Sequence, residues 1–115
     1  MMTSHDERAV EKKEQMAGGK GHVLIEHLLD EEQFNGKCRM YAHVRLEPGC
    51  TLGVHPHHGE TETYYILSGE GLYYDNDRSY PVKAGDVTFC ADGGTHGLDN
   101  TGDTNLEFMA LIIKG

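Results

Sequence analysis

The sequence predicts an all-β protein, a two-sheet barrel of the jelly-roll kind preceded by a short N-terminal helix. Three observations carry that expectation. Cys38, Met40, Ala42, Val44 and Leu46 alternate strictly with Arg39, Tyr41, His43 and Arg45, the period of two that sends successive side chains to opposite faces of a strand. About eight short strand-like segments follow one another, separated by glycine-bearing turns, as a two-sheet barrel requires. Fifteen glycines, only three prolines and no tryptophan suit short strands and tight turns better than a helical bundle. The 115 residues make one domain able to bury a core, with an expected helical arm over 1–20 and a barrel over 21–115.

The elements follow in chain order. Ser4 and Glu7 have the spacing of a capping box, which predicts a helix through about Met16, ended by Gly18 and Gly19. Its apolar content is thin (Ala9, Val10, Met16), so an arm is expected rather than core. Residues 22–29 read as a strand through Val23, Leu24 and Ile25, and 30–36 as a polar connection. After the strand at 38–46, Glu47, Pro48 and Gly49 break the chain, and 51–57 form the next strand. His58, Gly59 and Glu60 turn it back into a strand over 61–67. A hairpin is expected around Asp75, Asn76, Asp77 and Arg78. Val87 to Cys90 form another strand, and the loop 92–95 presents His96. The last strand, 105–113, is nearly all apolar, which suits burial on both faces or at a subunit contact.

Four residues stand out as metal ligands. His55 and His57 lie two apart on a strand, so both imidazoles point the same way. Glu62 meets them after the turn, and His96 arrives from another strand pair across the barrel. Three imidazoles and a carboxylate suit Mn, Fe, Ni, Cu or Zn and not Ca or Mg, which prefer oxygen shells. One divalent transition metal per chain is expected, with two positions of an octahedral shell left open. His58 faces away from His57 on an extended chain and Glu60 falls in the turn, so neither is counted as a ligand. His5, His22, His27 and His43 belong to no cluster and are expected to be exposed or satisfied by a neighbour.

These residues sit in two strings, Gly49-x5-His55-x-His57-x4-Glu62-x6-Gly69 and Gly85-x5-Ala91-x-Gly93-x2-His96-x3-Asn100. Position by position they resemble the two signature motifs of the cupin superfamily, apart from Ala91, which stands where the second motif usually carries proline. Proline there would stiffen a loop and bind nothing, so the four ligands are untouched. The resemblance covers 49–100 and implies the double-stranded β-helix barrel, with the ligands inside it, and a homodimer. It leaves the reaction open, because that barrel hosts isomerases, dioxygenases, decarboxylases and binding domains alike.

Two functional classes follow. One is a metal-dependent oxygenase, isomerase or decarboxylase acting on a small organic acid, enolic or carbonyl compound. The other is a small-molecule binding or sensing module with a structural metal. Tyr64 shares a face with Glu62 and is the candidate catalytic residue, a donor to a metal-bound oxygen. The remaining interior is expected from Met40, Val44, Leu46, Phe89 or Val87, Leu98, Met109 and Leu111 or their neighbours. Alternation sends Arg39 and Arg45 outward, which disfavours a polyanionic substrate.

Composition excludes other classes. A net charge of −9 argues against nucleic acid and against an anionic membrane. No apolar run approaches the roughly twenty residues that span a bilayer, and the polar start shows no signal peptide, so the cytoplasm is the expected compartment. Cys38, Cys50 and Cys90 form no C-x-x-C pair and read as small hydrophobic residues rather than disulfides or zinc ligands. Cys90 alone lies near the expected cavity mouth, with no activating neighbour.

Overall fold

In the computed structural model, which describes residues 1–115, ten strands form two antiparallel sheets. They are β1 (Val10–Glu14), β2 (His22–His27), β3 (Cys38–Leu46), β4 (Thr51–Pro56), β5 (Glu60–Ser68), β6 (Glu70–Asp75), β7 (Arg78–Lys83), β8 (Val87–Cys90), β9 (Thr95–Asn100) and β10 (Leu106–Lys114). One sheet has the order β1-β2-β3-β10-β5-β8, and the other β4-β9-β6-β7. Strands distant in sequence thus become neighbours, β3 and β5 flanking β10 and β4 lying beside β9. This crossing of the chain brings His96 to His55.

β3 occupies the segment whose alternation predicts it, and its even-numbered residues Ala42, Val44 and Leu46 are buried while Tyr41 is exposed. β10 alternates too. Leu106, Phe108, Ala110 and Ile112 are buried on the inner face, whereas Met109 and Leu111 are only partly covered on the outer one. The near-continuous apolar run therefore does not mark a strand buried on both faces. β8 points Thr88 and Cys90 inward and leaves Val87 and Phe89 exposed, so the interior takes the neighbours of the two larger residues. Tyr64 and Phe108 are the largest side chains of the core.

The N-terminal helix is much shorter than the capping box suggests. Ser4 and Glu7 do form that box, but it closes a single 3-10 turn, His5–Glu7. Residues 10–14 are strand β1, paired with β2 from Val10 opposite Glu26 to Glu14 opposite His22. Helix-favouring Glu and Lys residues are overruled here by an open edge of β2 that offers ladder hydrogen bonds, tertiary context outweighing local propensity. A second 3-10 turn, Met16–Gly18, returns the chain to β2. The connection expected over 30–36 also holds one helical turn, α1 (Glu31–Phe34), capped by Asp30, whose side chain accepts from the Gln33 amide.

Two glycines are required by geometry. Gly59 takes φ +74° between β4 and β5, a backbone that favours glycine, and it makes the reversal that returns Glu62 to His57. At Gly53 the constraint is space: a Cβ there would lie 2.0 Å from the Ala17 carbonyl oxygen. The Met16–Gly18 turn can pack against β4 only because Gly53 has no side chain.

Candidate metal centre

His55, His57, Glu62 and His96 come together inside the barrel, their ligand atoms all within 4.8 Å of one another. β4 supplies the first two, β5 the glutamate and β9 the last. His96 is the second residue of β9, just after the loop expected to present it, and lies directly opposite His55 in the ladder. His57 Nε2 lies 2.9 Å from Glu62 Oε1 and 3.0 Å from His96 Nε2, and His96 Nε2 lies 2.9 Å from Glu62 Oε1. His55 Nε2 stands further off, 3.8 Å from the same oxygen. Donors roughly 3 Å apart are spaced as neighbouring ligands of one ion with bonds of about 2.1 Å.

The far nitrogen of each ring is tied down. His55 Nδ1 donates to the Gly53 carbonyl at 2.8 Å, and His57 Nδ1 to the Glu60 carboxylate at 2.5 Å. Both partners only accept, so Nδ1 carries a proton, and in the neutral ring the lone pair is on Nε2, which faces the centre. His96 Nδ1 lies 2.8 Å from the Tyr73 hydroxyl, which can accept in the same sense. Three imidazoles oriented in this way are prepared for a cation, since fixed partners for the outer nitrogen set both tautomer and ring angle.

The charges agree. Burial alone would raise the Glu62 carboxyl, but the His55 and His96 imidazoles beside it outweigh that and hold it down to about 2. Glu62 is therefore an anion at any ordinary pH. Burial lowers His96, which favours its neutral imidazole. For His55 burial works in the same direction, yet Glu62 and the Gly53 carbonyl prevail and raise it. His55 is the least enclosed of the four, its side chain 21% exposed against 5% or less for the others.

Tyr64 adjoins the cluster. Its hydroxyl donates to Glu62 Oε1 at 3.2 Å, and its ring stacks on His96 with centroids 4.9 Å apart. Complete burial, helped by the Glu62 charge, pushes the phenol well above its ordinary value. His58 is exposed and outside the cluster, as expected. His5, His22, His27 and His43 each have a carboxylate neighbour: Glu26, Glu47, Glu11, and Glu26 with Glu107, respectively. Cys90 is buried opposite Glu62 on β8, and burial raises its thiol, so it is not activated. All three cysteines are free.

A cavity of about 180 Å³ leads to the cluster. Val44, Leu52, Phe108 and Ala110 make its apolar wall, and His55, His57, Glu62 and Tyr64 line it too. Glu11, Lys13, His27 and Arg39 also line it. Sequence reasoning missed this polar group, and it sent Arg39 outward. It also set aside Glu60, which lies outside the cluster but accepts from His57 Nδ1. β5 begins at Glu60, one residue earlier than expected, which puts Glu60 and Glu62 on the same face.

This barrel and this centre define a family. The chain belongs to the cupins: residues 42–112 match the family described as Cupin domain. An oxalate-binding protein of Thermotoga maritima is 47% identical over 113 residues, 98% of this chain and 93% of that one. The crystal structure of a predicted oxalate decarboxylase from Thermotoga maritima superposes with a TM-score of 0.96 at 46% identity, over the whole of both chains. KdgF from Halomonas sp. shares the fold at 13% identity, with a TM-score of 0.80 over 100% of this chain and 95% of that one. No helix of the protein is long and apolar enough to cross a membrane.

Proposed function

We propose that the protein holds one divalent transition metal per chain on His55, His57, Glu62 and His96, and that the metal in turn holds a small bidentate organic acid, with oxalate the first candidate. One observation carries this reading: three Nε2 atoms and Glu62 Oε1 converge while every Nδ1 is engaged by an outer partner. Bound there, such an ion acts as a Lewis acid with positions left for oxygen donors. Similarity to the Thermotoga maritima oxalate-binding protein supports the choice of guest. A cavity of about 180 Å³ is well below the size of drug-binding pockets and suits a molecule of few atoms.

The chain's own residues have separate tasks. The apolar wall keeps water from the guest and strengthens its polar contacts. Tyr64 orients Glu62 by donating to Oε1, and its raised phenol retains that proton, so we assign it a positioning role. The acids and bases that line the cavity besides the cluster, Glu11, Lys13, His27 and Arg39, include no second carboxylate-imidazole constellation of its kind, and the similarity to an oxalate-binding protein supports binding as the first reading. Titrating oxalate into Mn(II)-loaded protein by calorimetry is expected to show saturable binding that disappears after chelation, with no CO2 released. Equal binding to metal-free protein would contradict the proposal, and sustained CO2 release would replace binding with decarboxylation.

A homodimer belongs to the same reading. The outer face of β5 and β8 exposes Tyr65, Leu67, Val87 and Phe89, with Tyr65 paired to Val87, and β8 is a sheet edge. Exposed apolar faces of this kind mark association surfaces. Phe89→Glu is expected to convert dimer to monomer in sedimentation velocity; a monomeric wild type at high concentration would rule the dimer out.

A further inference from the structure

Arg39 reaches the cavity through an irregularity in the ladder. β10 pairs with β3 so that Ile112 lies opposite Met40 and Ile113 opposite Cys38. Arg39 is thus the extra residue of a β-bulge, a device that re-aims a side chain out of strict alternation. Met40 and Arg39, neighbours that a regular strand would send to opposite faces, both line the cavity.

The guanidinium is held by one edge. Nε and Nη2 donate to the two oxygens of Glu60, each at 2.7 Å. Glu60 also accepts from His57 Nδ1, so its carboxylate is fixed from two sides. A planar guanidinium has five N–H donors in a rigid fork. The edge formed by Nη1 and the second Nη2 hydrogen is left for another acceptor, on a side chain that lines the same cavity as His55 and His57. The Arg39 side chain is 52% exposed, and an ion pair in that setting adds little to stability. The geometry serves recognition better, since a fork clamped on one edge presents the other without further loss of freedom.

We propose that Arg39 is the specificity residue of the site, its free guanidinium edge receiving the outer carboxylate oxygens of a dianionic acid that chelates at the metal centre. The inference rests on the function proposed above and adds the class of guest. A divalent ion and Glu62 together leave one positive charge, so a dianion brings a net negative charge into a largely apolar cavity. Such a charge is costly unless it is hydrogen-bonded. Arg39, whose own charge is shared with Glu60, supplies donors to the outer oxygens, whereas a chelator with a neutral outer end gains nothing from them.

The test compares two chelators on Mn(II)-loaded wild type, Arg39→Gln and Arg39→Lys by calorimetry. Oxalate presents carboxylate oxygens outward; acetohydroxamate chelates and presents a methyl group. In Arg39→Gln, oxalate is expected to bind about tenfold to a hundredfold more weakly, the loss of charged hydrogen bonds, while acetohydroxamate and Mn(II) itself change by no more than about threefold. Arg39→Lys should restore only part of the loss, because a point charge does not reproduce the fork. Unchanged oxalate affinity in Arg39→Gln overturns the inference alone. Parallel weakening of both chelators also overturns it, and would make Arg39 a support for Glu60 and His57. Failure of the wild type to take up oxalate removes the proposed function and this inference together.

Discussion

His96→Ala is expected to lower metal affinity by more than about a hundredfold, beyond the usual loss of an orienting partner, whereas His58→Ala leaves it within about twofold. The contrast follows from position. His96 is fully buried, with Nε2 2.9 Å from Glu62 Oε1 and Nδ1 on the Tyr73 hydroxyl. Removing it strips the site of one of three imidazoles. His58 is exposed one residue beyond His57 and contributes no donor. Competition against a chelating dye measures both variants, with circular dichroism confirming that each is folded. Equal losses would mean that the constellation is misassigned.

Phe108→Ala is expected to cost about 3–5 kcal/mol of stability, the range for deleting a buried aromatic ring. Phe108 is completely buried on β10, and its ring meets that of Tyr64 at a centroid distance of 4.6 Å. Tyr64 stacks in turn on His96, so the core and the site share one aromatic column. For a domain of this size the midpoint of thermal unfolding should fall on the order of 10–20 °C. Phe108→Leu, which retains most of the volume, should lose much less. Urea unfolding of both variants checks the prediction, and a cost below about 1 kcal/mol for alanine would show that Phe108 does not carry the core.

The site was legible because its geometry is local in sequence. His55 and His57 share a strand face by spacing alone, and the glycine after His58 announces the reversal that returns Glu62. His96 is further away, yet its place in the string from Gly85 through Gly93 to Asn100 was readable. What escaped depends on pairings the sequence does not print. β1 has no apolar alternation, since Glu11, Lys12, Lys13 and Glu14 are all exposed, and only the edge of β2 makes it a strand. The bulge at Arg39 arises from the register between β3 and β10, strands far apart along the chain. A regular alternation therefore sent Arg39 to the wrong face. Glu60 was dismissed by a strand boundary misplaced by one residue, although its spacing of two from Glu62 was there to be read.

Glu60 and Arg39 extend the cluster beyond its four candidate ligands. A chain of contacts runs from Arg39 through the Glu60 carboxylate to His57 Nδ1, and from His57 Nε2 to Glu62 and His96. Partners of this kind fix ligand orientation and tune ligand basicity. The ladder of β4 and β9, which sets His55 against His96, and the turn at Gly59 do the coarser positioning. The fold thus aligns the donors, and the outer partners set their tautomers.

The central claim, that four converging side chains hold a metal ion, is tested most directly by elemental analysis of untagged protein purified without chelator, beside the His55→Ala/His57→Ala double variant. One Mn, Fe, Ni, Cu or Zn per chain, absent from the folded variant, is the predicted result. A folded wild type that contains no metal and takes none up on reconstitution would contradict it.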